Sequence, residues 1–567
     1  MHSNGMPERS ERRHWMLVAF ALLLGPALNL CAQERPDVPE HIMAVVRADP
    51  RVKDILADFQ EVHLEPEYAP QFGVWIIHFV HADRGPMGLI SVGADGGEIL
   101  EFNFEPHQTR QREWFASDDG RAEDRESSLP RALLPRFHGM ALAWMSFVLV
   151  AVVIGRFSPL LSLRNLDIIL LYALAPFLQI TWTHTKTAFT GLFIVTLLLF
   201  ARSLWIARKP GQGLARPNVR GPRTMCMLLL FALALHMLTL YERHIGDAGL
   251  WSAIGGQYLL CTGRLPYGTE FGPNCVYGPL MYVLFAPAGL AASFIQDIRP
   301  DGSIVLAAFN NVQAMRGVQT TELILDLLAL FTLYRLARRR ADPDTALTIV
   351  FVYAISPYLL GMVGELGLER ASHIAAAPFI LLALLFLTRP VLAGLLLGIA
   401  TGMLYYPLFL APLWFGYLRR RDGIRNGLMF LAAFAAVGIV CVIMLMVMVK
   451  PVEESQSPLG AFLDDTIMQQ QFKAGYGNSP LSFWGQYPEF ATWGKPTAGI
   501  LYCLFCVVIA FLPRHVDARQ LIPLTAAVLV STQLVLSFGG GNYIGFYLAP
   551  LILTFFGTPR PTPPQAT

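Results

Sequence analysis

The sequence predicts an α-helical polytopic membrane protein, with about thirteen spans after a signal or anchor and a small α+β extracytoplasmic domain near its N-terminus. Three observations predict it. Hydrophobic residues make up 54% of the 567 and charged residues only 15%, whereas a soluble domain carries roughly 25% charge. From Phe137 onward, apolar runs long enough to enter a bilayer follow one another almost to the end. Between positions 34 and 136, by contrast, 20 acidic and 11 basic residues stand close together. The same composition excludes disorder, a collagen-like repeat and a disulfide scaffold, the seven cysteines being spread along the chain. A formal charge of +2 leaves no case for a nucleic-acid partner.

The elements follow in chain order. Arg9, Arg12 and Arg13 precede the apolar run 15–30, which ends at Cys31-Ala32-Gln33. A basic head before an apolar stretch makes 1–33 a signal peptide or signal anchor. Leu28-Asn29-Leu30-Cys31 is a poor lipoprotein box, and whether the segment is cleaved stays open. Residues 41–60 carry Ile42, Val45, Val46, Val52, Ile55, Leu56 and Phe59 at helical spacing. Strands are expected at 73–80, 87–92 and 98–102, separated by Arg84-Gly85-Pro86 and Ala94-Asp95-Gly96-Gly97. This helix and meander, ending in DGGEILEF, resembles a PepSY-like domain over about 65 residues and defines a periplasmic domain at 34–116. Residues 117–136, rich in Asp, Glu and Arg, read as a linker.

Orientation of the membrane body comes from Lys and Arg in short loops. The basic markers are Arg208/Lys209/Arg216/Arg220/Arg223, Arg335/Arg338/Arg339/Arg340, Arg419/Arg420/Arg421/Arg425, Arg514/Arg519 and Arg560. All of them reach the cytoplasm only if an even number of crossings separates each pair. Three apolar runs lie between Arg223 and Arg335, so one must fail to cross. The run 279–295, interrupted by Pro279, Pro287 and Gly289, is the one read as interfacial or re-entrant. Runs 390–403 and 405–418 are short for full spans and read as a broken pair. This parity leaves additional spans at 137–223, a membrane unit at 224–557 and a cytoplasmic tail at 558–567. The loops 242–316 and 450–496 then face outward.

Those outer loops carry the chemistry. An acidic residue just after a span (Asp247), an amphipathic helix along the outer surface, Gly263-Arg264-Leu265-Pro266-Tyr267-Gly268 and Tyr277-Gly278-Pro279-Leu280-Met281-Tyr282 follow in order. With RPVLAGLLLGIATGMLYYPLFLAPLW at 389–414 and GNSPLSFWGQYP at 477–488, this pattern resembles GT-C-type integral membrane glycosyltransferases. The nearest branch uses polyprenyl-phosphate sugars and includes bacterial mannosyl- and arabinofuranosyltransferases. The resemblance covers about 220–557. It implies a GT-C-like fold, a lipid-linked sugar donor and Asp247 as general base. One departure concerns Leu404-Tyr405-Tyr406-Pro407, where related sequences often carry Lys before Tyr-Pro, so a phosphate contact expected there is in doubt.

A carboxylate at the membrane–water boundary can take the acceptor's proton as the leaving phosphate gains charge, which is the role read for Asp247; a solvated loop Asp is the competing assignment. Donor contacts are read at Arg264, Tyr267, Tyr277, Glu365, Arg370, His373 and Tyr405. Arg370 suits a bidentate phosphate contact or an ion pair with Glu369 or Glu365, and His373 suits a helix core equally. Acceptor contacts are read at Lys473, Trp484 and Asn542, against interfacial anchoring for the aromatic groups. No metal site is expected, because Asp464-Asp465 has no further ligands at suitable spacing. No cofactor is expected either. Cys261 and Cys275 share one outer loop, where an oxidising compartment permits a bridge; Cys503 and Cys506 read as packing residues.

The expected function is transfer of a sugar from a polyprenyl-phosphate donor to an extracytoplasmic glycan, lipid or protein acceptor at the bacterial inner membrane. The alternatives are a transporter or flippase of lipid-linked saccharides and a non-enzymatic envelope assembly or signalling protein.

Overall fold

The structure, a computed structural model, describes residues 40–50, 52–53, 56, 62–69, 74–81, 85–93, 99–104, 139–156, 162–181, 184–208, 218, 221–242, 247–269, 275–291, 295–298, 304–306, 312–360, 370–451, 456–468, 482–511, 518–536 and 543–556. The signal or anchor at 1–33, the linker at 117–136 and the tail at 558–567 lie outside the described residues. The chain falls into two compact units, residues 1–124 with 157–160, and residues 125–156 with 161–567.

In the first unit, α1 (Glu40–Ala48) precedes four strands, β1 (Val62–Ala69), β2 (Val74–His81), β3 (Gly85–Gly93) and β4 (Ile99–Phe104). The strands form an antiparallel meander in the order β1-β2-β3-β4. Ile42 and Val46, one helical turn apart, are buried, as are Ile77, Ile90 and Val92. Ile77 and Ile90 face each other in the register of β2 and β3. The sequence pattern marks β2, β3 and β4 but not β1. The reason lies in β1's position: it is an edge strand, and its His63, Glu65, Pro66 and Glu67 are the polar and proline residues that edges tolerate and that mask apolar alternation.

The second unit is helical, with one small hairpin. Its elements are α2 (Gly139–Ile154), α3 (Leu163–Tyr172), α4 (Leu174–Gln179), α5 (Thr185–Arg208), α6 (Pro222–Glu242), α7 (Asp247–Thr262), α8 (Pro279–Ala291), the hairpin β5 (Ile295–Ile298) and β6 (Ile304–Leu306), α9 (Val312–Arg338), α10 (Pro343–Ala354) and α11 (Arg370–Leu385). There follow α12 (Pro390–Met403), a 3-10 turn (Tyr406–Leu410), α13 (Ala411–Asp422), α14 (Ile424–Met448), α15 (Pro458–Leu463), α16 (Phe483–Gln486), α17 (Pro488–Phe511), α18 (Ala518–Thr532), a second 3-10 turn (Ile544–Phe546) and α19 (Leu548–Phe556). Three of them, α5, α14 and α17, are long and apolar enough to cross a membrane. At 24 or 25 residues each, they extend about 36 Å against a hydrocarbon core of about 30 Å. α14 and α17 present their apolar side chains outward, Val447 at 70% and Ile500 at 68% exposure among them. Such faces are costly in water and suited to lipid.

Small residues set how closely the helices approach. Gly394, Gly398 and Gly402 recur every fourth residue along α12. A Cβ at Gly394 would lie 2.2 Å from the Phe430 carbonyl oxygen, one at Gly398 would meet Val437, and one at Gly402 would meet the Cys441 sulfur. The order of these contacts makes α12 and α14 parallel neighbours in backbone contact. Gly416 of α13 meets the Ala510 carbonyl of α17 in the same way, at 2.1 Å. An Arg–Asp ion pair and a buried His–Asp hydrogen bond add directional ties. Arg202 of α5 holds Asp167 of α3 through Nε–Oδ1 at 2.6 Å and Nη2–Oδ2 at 2.9 Å. His236 of α6 meets Asp326 of α9, Nε2 to Oδ2, at 2.7 Å, both being at most 2% exposed.

These contacts also sort the helix ends. Thr348 Oγ1 donates to the Asp344 carbonyl at 2.7 Å and lies 3.8 Å from Met225 Sδ, so the N-terminal halves of α6 and α10 share one end, beside Arg223 and the segment Arg335–Arg340. There Arg338 donates to the Ala341 carbonyl at 3.0 Å and Arg339 to the Leu385 carbonyl. Cationic side chains thus tie down the turn after α9 and the last carbonyl of α11. Because α12 starts just after Leu385 and runs parallel to α14, the head of α14 with Arg425 lies at that end too. Arg420 donates to the Ala510 carbonyl at 2.6 Å, bringing in the last turn of α17. Arginines from well-separated loops therefore gather at one end of the helical body.

A Gly394→Ala exchange should lower the melting temperature of the purified protein, by a cost of about 1–3 kcal/mol for the forced α12–α14 separation. Gly499→Ala, whose Cβ would enter open space, should not; thermal unfolding in detergent compares the two.

Candidate functional site

At the opposite end, α6 closes at Glu242 and α7 opens at Asp247. Sequence reasoning expects α7 to be amphipathic and to lie along the surface. Instead every residue from Ser252 to Tyr258 is buried, with α8, α9 and α11 packed around the helix. Its small residues are the cause. A Cβ at Gly255 would strike the Tyr282 ring at 2.4 Å, and one at Gly256 would lie 2.7 Å from the Ala286 nitrogen. Gln257 is polar but not solvated: its Oε1 accepts from the Ile295 N–H at 3.0 Å and its Nε2 donates to the Ile295 carbonyl at 3.4 Å, tying the hairpin strand to α7. α8, read as non-crossing, is 13 residues long, about 20 Å and short of the hydrocarbon core.

The chain after α7 forms a knot of tyrosines. Leu265 N–H donates to the Met448 carbonyl at 2.9 Å, and Gly278 N–H to the Met403 carbonyl at 2.9 Å. The loop is thereby pinned to the last turns of α14 and α12. Tyr267 is fully buried and its hydroxyl donates to the Tyr277 carbonyl. Tyr282 donates to the Cys275 carbonyl at 2.6 Å. The Tyr267 ring meets those of Tyr282 and Phe462 edge-on, at 5.7 and 5.0 Å, and Phe462 in turn meets Tyr405 at 6.0 Å. Gly268, at φ +71°, abuts Pro451, and its N–H donates to Asp465 Oδ2 at 2.6 Å. Only glycine meets both demands, the left-handed backbone and the close approach. Three short motifs far apart in sequence, PYG, YGPLMY and LYYP, thus meet at one place, closed by Asp465 from the second loop. Burial pushes the Tyr267 and Tyr282 phenols and the Cys275 thiol well up. None of these groups is an acid–base candidate near neutrality.

The sequence-predicted site residues separate into three groups. Tyr267, Tyr277 and Tyr405 come together in the knot, with the Tyr267 hydroxyl spent on the loop itself, while Arg264 stands exposed at its edge. Asp247 is the first residue of α7, and Arg370 and His373 lie in the first turn of α11; the side chains of all three lie outside the described residues. Glu365, Lys473 and Asn542 lie outside the described residues altogether. Trp484 is buried, donates Nε1–H to the Leu534 carbonyl at 3.0 Å and lies parallel to Phe490 at 5.7 Å. Tyr487 shares a hydrogen bond of 2.9 Å with Thr190, and Lys186 sits 4.9 Å over its ring. This aromatic group joins α5 to α16 and α17.

Cys261 and Cys275 are both free, Cys275 buried and Cys261 exposed. Among the described residues no group of three or more His, Cys, Asp or Glu has a metal-holding arrangement.

Sequence reasoning missed one polar constellation. Gln319, Glu322 and Asp326 of α9 are buried at 4, 5 and 1% exposure, and their spacing of three and four places them on one helix face. His236 completes the group through Asp326. Two acids a helical turn apart inside the apolar run 317–337 were the available signal, since intramembrane ionisable groups pair or work.

No protein-family model, curated protein or solved structure matches the chain.

Replacing His236 by Leu should destabilise the protein by about 1–3 kcal/mol, because the buried Asp326 carboxyl loses its hydrogen bond to the imidazole. The double exchange His236→Leu/Asp326→Leu should recover most of that loss in the same thermal-unfolding measurement.

Proposed function

We propose that this protein is a GT-C-like glycosyltransferase of the bacterial inner membrane. It would take a sugar from a polyprenyl-phosphate donor and pass it to an extracytoplasmic glycan, lipid or protein acceptor. The observation that carries this reading is the meeting of the PYG, YGPLMY and LYYP segments at the end opposite the arginines, with a carboxylate residue, Asp247, opening the helix beside the α6 terminus. By the preference of Lys and Arg for the cytoplasmic side, the arginine-rich end is cytoplasmic and the knot extracytoplasmic. About thirteen spans and a PepSY-like periplasmic domain that binds acceptor or partner complete the reading.

In this mechanism the acceptor oxygen attacks the anomeric carbon and gives its proton to the Asp247 carboxylate. The bond from that carbon to the phosphate oxygen breaks, and polyprenyl phosphate leaves with the electron pair. A single in-line displacement inverts the sugar carbon. Arg370 and the N-terminus of α11 hold the departing phosphate, with His373, Glu365, Arg264 and Tyr405 bordering the donor. Lys473, Trp484 and Asn542 border the acceptor. The knot's tyrosines keep the loop in place rather than moving protons.

A second reading, a transporter of lipid-linked saccharide, is favoured by the His236–Asp326 pair with Glu322. Buried ionisable groups well inside the apolar part of a span are the pattern of a translocation path.

Asp247→Asn should reduce sugar transfer in membranes supplied with polyprenyl-phosphate sugars by about 100-fold or more at unchanged protein level. Equal transfer by wild type and variant would remove Asp247 from the mechanism. Movement of the lipid-linked sugar across vesicles without any transfer, lost in Asp326→Asn, would establish the transporter instead.

A further inference from the structure

A cavity of about 480 Å³ opens between α8 and α9, lined by Pro287, Ala288, Arg316, Thr320 and Ile324 among others. It lies away from the polar constellation. Along α9 the residues Arg316, Thr320, Ile324, Leu327 and Phe331 are exposed, while Gln319, Glu322 and Asp326 are buried. The groove therefore belongs to the outward stripe of the helix. Gly317 brings α9 so close to α8 that a Cβ there would stand 3.0 Å from the Ala288 carbonyl oxygen, and the cavity lies against this crossing.

The position of Arg316 along the helix says what it meets. Nineteen residues separate it from Arg335, about 28 Å of helix, close to the roughly 30 Å of a hydrocarbon core. Two arginines thus stand at either end of the mainly apolar stretch of α9, at a spacing close to the thickness of that core. Ile324, 60% exposed, lies eight residues along the helix from Arg316, about 12 Å away. The groove is cationic at its Arg316 end and apolar towards Ile324, the same polar-to-apolar order as a lipid. Thr320 Oγ1 donates to the Arg316 carbonyl at 2.7 Å, which turns its hydrogen inward and leaves its methyl and oxygen lone pairs to line the groove.

We propose that this groove is a binding site for one anionic glycerophospholipid. Its phosphate pairs with the Arg316 guanidinium, and one acyl chain lies along Pro287 and Ile324. The occupant is a bilayer lipid rather than a reactant, because the groove sits on the face of α9 turned away from its buried polar residues. The site is independent of the transferase reading.

The test is lipid retention by the full-length protein in mild detergent, followed by native mass spectrometry with added phosphatidylglycerol or phosphatidylcholine. Wild type should keep one phosphatidylglycerol in preference to phosphatidylcholine. Arg316→Gln should weaken that binding about tenfold by removing the cation. Thr320→Phe should do the same by filling the groove with the charge intact. Arg425→Gln, an exposed arginine on α14, should leave it unchanged, and melting temperatures should show all variants folded. Equal retention by wild type and both groove variants would overturn the proposal. So would displacement of phosphatidylglycerol by an equal amount of polyprenyl phosphate, which would make the occupant the donor lipid.

Discussion

Gly278 approaches the Gly402 carbonyl at a distance that any side chain at position 278 would forbid. A Cβ on Gly278 would sit 2.2 Å from the Gly402 carbonyl oxygen, and a Cβ on Gly402 would run into Leu280 and the Cys441 sulfur. At this point the head of α8, the tail of α12 and the outer part of α14 share one contact. Within a bilayer, lipid tails are as apolar as the side chains they replace, so helices are held by close packing and by satisfied backbone groups. The glycine contact supplies the first, and the Gly278 N–H bonded to the Met403 carbonyl supplies the second. The tyrosine knot exists because this contact brings 265–282 onto the ends of α12 and α14.

Two kinds of polar burial coexist in the helical body, and they serve different ends. In the knot, hydroxyls and amides are spent on the loop's own carbonyls, which fixes its shape and removes those groups from proton chemistry. In the α6–α9 pair the buried groups are ionisable. A carboxylate and an imidazole away from water are tolerated only as partners, so the pair orients two helices whether or not it also works. What distinguishes the knot is its neighbourhood: it lies at the end of the helical body where α7 and α11 begin, opposite the gathered arginine loops.

Much of the architecture was legible from the residues, for physical reasons that differ by element. Runs such as 424–448 declare themselves because a bilayer admits little else, and the strands of the meander because Gly-rich turns separate them. β1 escaped, since an edge strand carries Pro66 and charges. α7 reads as amphipathic, yet its small residues Gly255 and Gly256 admit a neighbouring helix, and Gln257 finds its partner in Ile295. The candidate site was legible as a set of motifs and not as an arrangement. Tyr267 and Tyr277 were singled out as ligand contacts, and only their mutual hydrogen bond reveals the part they play in holding the loop. Glu322 and Asp326 passed unnoticed because an apolar run is judged by its average.

By itself, the sequence determined that the chain is helical, apolar enough for a bilayer, and punctuated by arginine-rich loops. These are sums over local composition, and no distant residue alters them. Only the tertiary structure decided that separate arginine loops gather at one end, that three short motifs and Asp465 meet at the other, and that His236 and Asp326 pair between helices. Each depends on two segments far apart in sequence approaching within a few ångströms. That approach is set by which helix faces carry glycine, a property that appears only once the partner helix is in place.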